Sequence, residues 1–305
     1  MMKEKVELGY QLSVARLSAH MGYSRDAYYK ARSRQKHVEN QWDDILSLVH
    51  RERSLQARLS GKKVYHIIKP ELLEKGIKMG RDKFYDLLRS YGLLIERKVK
   101  QVRTTNSAHS WRRYKNLLVD KVIDGPNQVW VSDITYLSTH EGFVYLCLIM
   151  DAYSRQIVGW AVHDSLEMQG CLNALKRAVK TLPKSKNGCQ SLIHHSDQGV
   201  QYCCKAYTTK LKKHKIIISM ASKGNCYENA KAERLNGILK QEYGLGLTMS
   251  SKKAAKKLAA QAIELYNHYR PHLALKMHKP NDVHSGKVKV DVRMSWAKKQ
   301  SPKAA

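Results

Sequence analysis

No stretch of this chain approaches the ~20 apolar residues that a membrane-spanning helix needs. The longest apolar run, Phe143 to Met150, has the length of a strand. The charged N-terminus is followed by no apolar segment, which argues against a secretory signal. Six cysteines occur, at 147, 171, 189, 203, 204 and 226, and none forms a C-x-x-C pair. That pattern argues against a structural zinc finger and a disulfide framework, and it suits reduced thiols in a cytosol. No serine or cysteine stands in an activated-nucleophile constellation. Acidic residues are scarce as well: 26 Asp+Glu face 55 Lys+Arg, for a formal net charge of +29. A surface so charged repels itself unless an anion is near, and a nucleic-acid backbone is the commonest such anion. The 305 residues allow two or three domains with a substantial core.

The first hundred residues read as short helices. Ser13 to His20 forms one, Met21-Gly22-Tyr23 a turn, and Ser24 an N-cap for a second helix through Tyr28, Tyr29 and Arg32. Two helices joined by a glycine-containing turn fit a helix-turn-helix. An echo follows, with Met79-Gly80 before Arg81-Asp82-Lys83-Phe84-Tyr85, ending at Tyr91-Gly92. These readings place one helical unit at 1–38 and a second at 39–95, the second helix of each pair being a candidate recognition helix. From Glu96 the chain turns polar and basic, through Arg97, Lys98, Arg103, Arg112, Arg113 and Lys115, which reads as a linker over 96–122.

The period then changes. Gln128 to Thr139, Phe143 to Tyr153 and Gln156 to His163 are β-like runs with short connections, hence three antiparallel strands. Glu167 to Thr181 has helical spacing, Leu192 to His195 is strand-like, Tyr202 to His214 a basic helix and Lys215 to Met220 a strand. A further helix begins near Tyr227, and Ser251 to Arg270 forms another, closed by Pro271. Meander, helix, strand, helix, strand, helix is the order of a ribonuclease-H-like mixed α/β core, expected over 123–285. A Lys-rich tail follows over 286–305, its last ten residues expected to be disordered.

Three acids stand out within this core. Asp133 lies in VWVSDITYL, Asp197 in LIHHSDQGVQY, and Glu233 in the helical stretch NCYENAKAERLNGILKQEY, with thirty-five residues between Asp197 and Glu233. In the ribonuclease-H-like order the first and fourth strands are neighbours, which sets Asp133 beside Asp197, and the following helix delivers Glu233. Hard Mg²⁺ favours such oxygen ligands, and two ions can serve one phosphoryl transfer. His194 and His195 point to opposite faces of a strand end, so they read as structural groups. Glu228 is a rival third acid, but it lies about 500° around a helix from Glu233 and reads as an N-terminal stabiliser. Asn236 and Lys240 share the Glu233 face and are expected to touch DNA, Lys240 at a phosphate. Arg270 is expected mainly to help close the core, with a phosphate contact as its second reading.

The segments Trp130-Val131-Ser132-Asp133-Ile134-Thr135-Tyr136, His195-Ser196-Asp197-Gln198-Gly199-Val200-Gln201-Tyr202, Gly224-Asn225-Cys226-Tyr227-Glu228-Asn229-Ala230 and Tyr266-Asn267-His268-Tyr269-Arg270-Pro271-His272 resemble bacterial insertion-sequence transposases with a retroviral-integrase-type DDE core. The resemblance is to the second-frame product of the IS-three family and runs over nearly the whole chain. It implies cleavage and joining of DNA strands at element ends with Mg²⁺, for which Mn²⁺ substitutes. It carries Asp133, Asp197 and Glu233 over as the metal-binding catalytic carboxylates. It further implies terminal inverted repeats and target DNA as partners, self-association on DNA, and a bacterial cytoplasmic, nucleoid-associated location with no membrane. Members act as fusions with an upstream-frame product carrying a leucine-rich dimerising helix. This chain has no such leucine heptad and reads as the second-frame portion. Cutting without joining, by a plain metal-dependent nuclease, and DNA binding without catalysis are the alternatives.

Overall fold

The structure, a computed structural model, describes residues 13–95, 111–119, 121–183, 191–222, 230–291 and 294–295. The expected disorder of the last ten residues and the reading of Glu228 lie outside these. The chain divides into two compact units, 1–54 with 60–95, and 55–59 with 96–305.

The first unit is helical: α1 Val14–His20, α2 Arg25–Leu55, α3 Gly61–Glu74 and α4 Arg81–Ser90. Ser13 Oγ accepts from Arg16 N, and Ser24 Oγ accepts from Ala27 N at 3.0 Å, so both first-turn caps are side-chain oxygens. Gly92 has φ +63° and Leu93 N donates to Leu88 O at 2.7 Å, which closes α4 as its glycine anticipates. One difference concerns the 38/39 boundary. α2 runs unbroken through it for 31 residues, because neither proline nor glycine interrupts Arg25 to Leu55. The core of this unit contains Ile45, Val49, Val64, Ile68, Phe84 and Leu88.

The second unit is built on a five-stranded sheet from β2 Val129–Thr139, β3 Gly142–Asp151, β4 Ile157–His163, β5 Ile193–Ser196 and β6 Ile217–Met220, after a short β1 Val122–Ile123. Their order across the sheet is β4-β3-β2-β5-β6. β2, β3 and β4 pair antiparallel, whereas β5 runs parallel to both β2 and β6. This is the ribonuclease-H-like arrangement expected from the element order. Helices α5 Met168–Lys180, α6 Val200–Cys203, α7 Lys205–Lys213, α8 Ala230–Glu242, α9 Lys252–His268 and α10 Pro280–His284 accompany it.

Both faces of the sheet are covered, which explains why β3 reads as a continuous apolar run. Leu146, Leu148 and Met150 pack on one face with Leu235 and Leu239 of α8 and Ala259 and Ile263 of α9. Cys147 and Ile149 pack on the other with Leu175 of α5 and Tyr207 and Leu211 of α7. α5 lies so close to β4 that a Cβ at Gly159 would stand 2.3 Å from Ala174 O. β2 alternates in the same way: Val129 and Val131 join the α8–α9 side and Trp130 the other.

Several features depart from the sequence reading. The expected helix from Tyr202 to His214 is split, with Cys204 extended between α6 and α7. The end of the expected linker belongs to the core: Leu117 N donates to Ser219 Oγ of β6 at 2.9 Å, and Leu118 is fully buried. The expected tail also starts too early, since Val290 is buried and its carbonyl accepts from Tyr153 Oη at 2.6 Å. Beyond it, β7 Met294–Ser295 pairs with β1.

Candidate active site

Topology brings the first two acids together. β2 and β5 pair in the register Val129↔Ile193, Trp130↔His194, Val131↔His195. Continuing that register by two residues sets Asp197, one residue beyond β5, opposite Asp133 on β2. Asp133 has the parity of Val131, so it lies on the face that α8 covers. Gly199 N donates to Asp197 Oδ1 at 3.0 Å, a turn closed by the aspartate itself. A Cβ at Gly199 would stand 3.0 Å from that same oxygen.

Glu233 lies exposed in the first turn of α8, where the helix dipole favours negative charge. One turn on, Asn236 Nδ2 donates to Asp133 Oδ2 at 2.8 Å. The Asn236 Oδ1 atom is buried with no hydrogen-bond partner among the described residues. Lys240, a further turn along, stacks its ammonium 4.2 Å from the Tyr136 ring centre, two strand positions beyond Ile134. Burial lowers the Lys240 pKa, while the nearby Asp133 opposes that shift.

The charges of the other two acids act on Asp133. The Asp133 carboxyl is pushed up to about 7, first by burial, then by the negative charge of Asp197, with Glu233 adding to it. The backbone of Ile134 and the Asn236 amide act in the opposite sense. Among the described residues no three His, Cys, Asp or Glu side chains form a ready metal cage. The acids are therefore electrostatic neighbours, not a closed ligand set. Their donor chemistry fits a hard divalent cation, which would relieve the mutual repulsion that raises Asp133.

Other side chains singled out in the sequence are placed as follows. His194 Nε2 lies 2.6 Å from Ser132 Oγ and 2.9 Å from Tyr207 Oη, on the sheet face opposite Asp133. Burial and the adjacent His195 hold its pKa down at about 3, so it packs as a neutral ring. His195 Nδ1 lies 2.9 Å from Ser219 Oγ on β6. Both histidines are thus structural.

The phosphate contact considered for Arg270 is corrected. Its side chain is 4% exposed, and its Nε and Nη2 donate to the two Glu242 oxygens at 2.7 and 2.8 Å. That fork locks the end of α8 to the end of α9, since a buried guanidinium needs a carboxylate partner. Neighbouring Asn267 completes the closure: its amide exchanges bonds of 2.9 and 3.0 Å with the backbone of Ile157 on β4. The Tyr136–Lys240 stack and the Glu242–Arg270 fork were not read from sequence. Their only sequence signals are the seven-residue step from Glu233 to Lys240 and the arginine before Pro271.

The chain is similar to known proteins over most of its length. The integrase core domain family matches residues 124–226, and a second integrase core domain family matches residues 214–280. The 31 kDa protein of insertion element IS600 from Shigella sonnei is 34% identical over 83% of this chain and 92% of its own. The transposase for insertion sequence element IS629, also from Shigella sonnei, is 33% identical over 77% of this chain and 78% of its own. Transposase InsF for IS3A of Escherichia coli K12 is 36% identical over 61% of this chain and 64% of its own. With its matched core, its ribonuclease-H-like sheet and relatives spanned for most of their length, this chain belongs to the IS3-family insertion-sequence transposases.

Proposed function

We propose that this transposase cuts and joins DNA strands at the ends of its insertion sequence through a single site formed by Asp133, Asp197 and Glu233. The observation that carries the reading is geometric: the β2–β5 register sets Asp197 opposite Asp133, and α8, with Glu233 in its first turn, reaches Asp133 through the 2.8 Å Asn236 bond. The three carboxylates would hold Mg²⁺, with Mn²⁺ able to substitute. Such ions would supply activation of the attacking oxygen and stabilisation of the leaving one. Asn236 holds the Asp133 carboxylate in place through its amide. Lys240, aligned on Tyr136, contacts a DNA phosphate near the reacting strand. No protein nucleophile takes part; the attacking group is water in cleavage and a DNA 3′-hydroxyl in joining.

The net charge of +29 supplies affinity for terminal inverted repeats and target DNA. The helix pair α3–α4 serves as a DNA-reading unit within 39–95. The protein works as a homo-oligomer on DNA, joined to an upstream-frame product, in the bacterial cytoplasm at the nucleoid. Among the described residues no helix is long and apolar enough to cross a membrane. A labelled terminal repeat, incubated with protein and Mg²⁺, tests the reading. Joined strands that vanish in Asp133→Asn support it. Cleavage without joining indicates a nuclease, and intact DNA in the presence of the upstream product indicates a regulator.

A further inference from the structure

α2 carries far more apolar surface than its own unit uses. Its C-terminal part is packed, with Ile45 and Val49 fully buried. Every residue from Arg25 to Asp44 is exposed or half-buried. Along that free stretch Tyr28, Ala31, Gln35, Val38 and Trp42 follow one another in alternating steps of three and four, and the series continues into Ile45 and Val49. That is a heptad seam with Tyr28, Gln35, Trp42 and Val49 at one core position and Ala31, Val38 and Ile45 at the other. Val38 and Trp42, both large and apolar, are 39% and 38% exposed. A seam whose inner end is core and whose outer end, over about four turns from Tyr28 to Trp42, has no partner among the described residues presents a docking face.

The charge pattern says what that partner is. In a chain of net charge +29, residues 25–44 carry five Lys and Arg against four Asp and Glu. This helix is nearly neutral, unlike a phosphate-binding stripe, so two copies can approach along it without the repulsion felt elsewhere. The residues flanking the seam complement themselves. Glu39 of one copy meets Arg34 of the other if the helices run parallel, and Arg32 if they run antiparallel, twice by symmetry in either case. Within one chain Glu39 already accepts from Gln35 Nε2 at 2.9 Å, which holds it at the seam's edge.

We propose that residues Tyr28 to Trp42 of α2 form a two-stranded coiled coil with the same helix of a second copy. The transposase then dimerises through its own N-terminal unit, independently of any upstream leucine helix and of the catalytic acids. Gln35 is the one polar layer of the seam, and such a layer limits stability while fixing register.

The test is the molar mass of the full chain by light scattering across a concentration series, without DNA and at moderate salt. The wild type is expected as a dimer that dissociates on dilution. Val38→Glu with Trp42→Glu should leave a monomer with unchanged helix content, since both residues are exposed. Gln35→Leu should tighten the dimer roughly tenfold, a gain that no folding defect can mimic. A wild type that stays monomeric, a double variant that stays dimeric, or a Gln35→Leu protein with unaltered dissociation would each overturn the proposal.

Discussion

Replacing Arg270 by alanine separates a structural role from a DNA contact. The fork with Glu242 is buried at the arginine, 4% exposed, and mostly buried at the glutamate, 17% exposed. Removing one partner of a buried pair typically costs about 3–5 kcal/mol, because the other charge is left unpaired. Residual solvent access to Glu242 places this case near the lower end, about 3 kcal/mol. Loss of the guanidinium over the Tyr266 ring at 5.5 Å adds a smaller amount. For a unit of this size, 1 kcal/mol shifts the melting temperature by roughly 2–4 °C, so Arg270→Ala should melt roughly 6–12 °C lower. Arg270→Lys should recover little, since an ammonium cannot make the two-pronged contact. A paired Arg270→Met, Glu242→Leu variant should recover most of the loss, because apolar residues of similar volume replace buried ion pairs at little cost. Calorimetry or denaturant titration of the DNA-free protein reads all three. An Arg270→Ala protein that melts like the wild type, yet binds DNA with a salt dependence weaker by about one phosphate contact, would make Arg270 a DNA contact and not a structural brace.

Gly159→Ala should destabilise the sheet unit by about 1–3 kcal/mol, as the new Cβ meets Ala174 O at 2.3 Å and Ala178 Cβ at 2.7 Å; a variant melting at the wild-type temperature would contradict that packing. His194, held down to about 3 in the fold, binds its proton less readily than in the unfolded chain. Its contribution is therefore complete above its ordinary pKa of about 6.5 and falls by about 1.4 kcal/mol for each pH unit below that, towards 3. Asp133, raised to about 7, changes stability in the opposite sense over this range, so the loss is read as the difference between wild type and His194→Asn in denaturant titrations at pH 7.5 and 5.5, which should shrink at the lower pH. Lys240→Ala should weaken DNA binding and strand joining together while leaving melting nearly unchanged, because an exposed-side cation–π contact contributes only about 0.5–1 kcal/mol. Unaltered joining in that variant would remove Lys240 from the DNA interface.

What could be read from the sequence was what local periodicity encodes. The alternation around Asp133, the apolar run of β3 and the helical spacing before Lys180 each report burial within a few residues of themselves. The adjacency of Asp133 and Asp197 follows from strand order, which the meander and the crossovers constrain. Contacts across long separations left no periodic trace. Leu117 reaches β6 across 102 residues, Val290 reaches Tyr153 across 137, and Arg270 finds Glu242 across 28. Only the second reading of Arg270, as a phosphate contact, misled, for a physical reason: a basic residue in a basic chain is read as phosphate-facing unless its carboxylate is known.

The central claim is that Asp133, Asp197 and Glu233 act as one metal-dependent site for cutting and joining DNA. The most direct measurement is strand joining on a labelled terminal repeat with Mg²⁺ and the upstream-frame product supplied. It compares the wild type with Asp133→Asn, Asp197→Asn, Glu233→Gln and Glu228→Gln, each first shown to melt normally. The account predicts joined strands from the wild type and from Glu228→Gln, and none above background from the other three. Joined strands at the wild-type level from any of those three, or their loss in Glu228→Gln with Glu233→Gln still active, would contradict it.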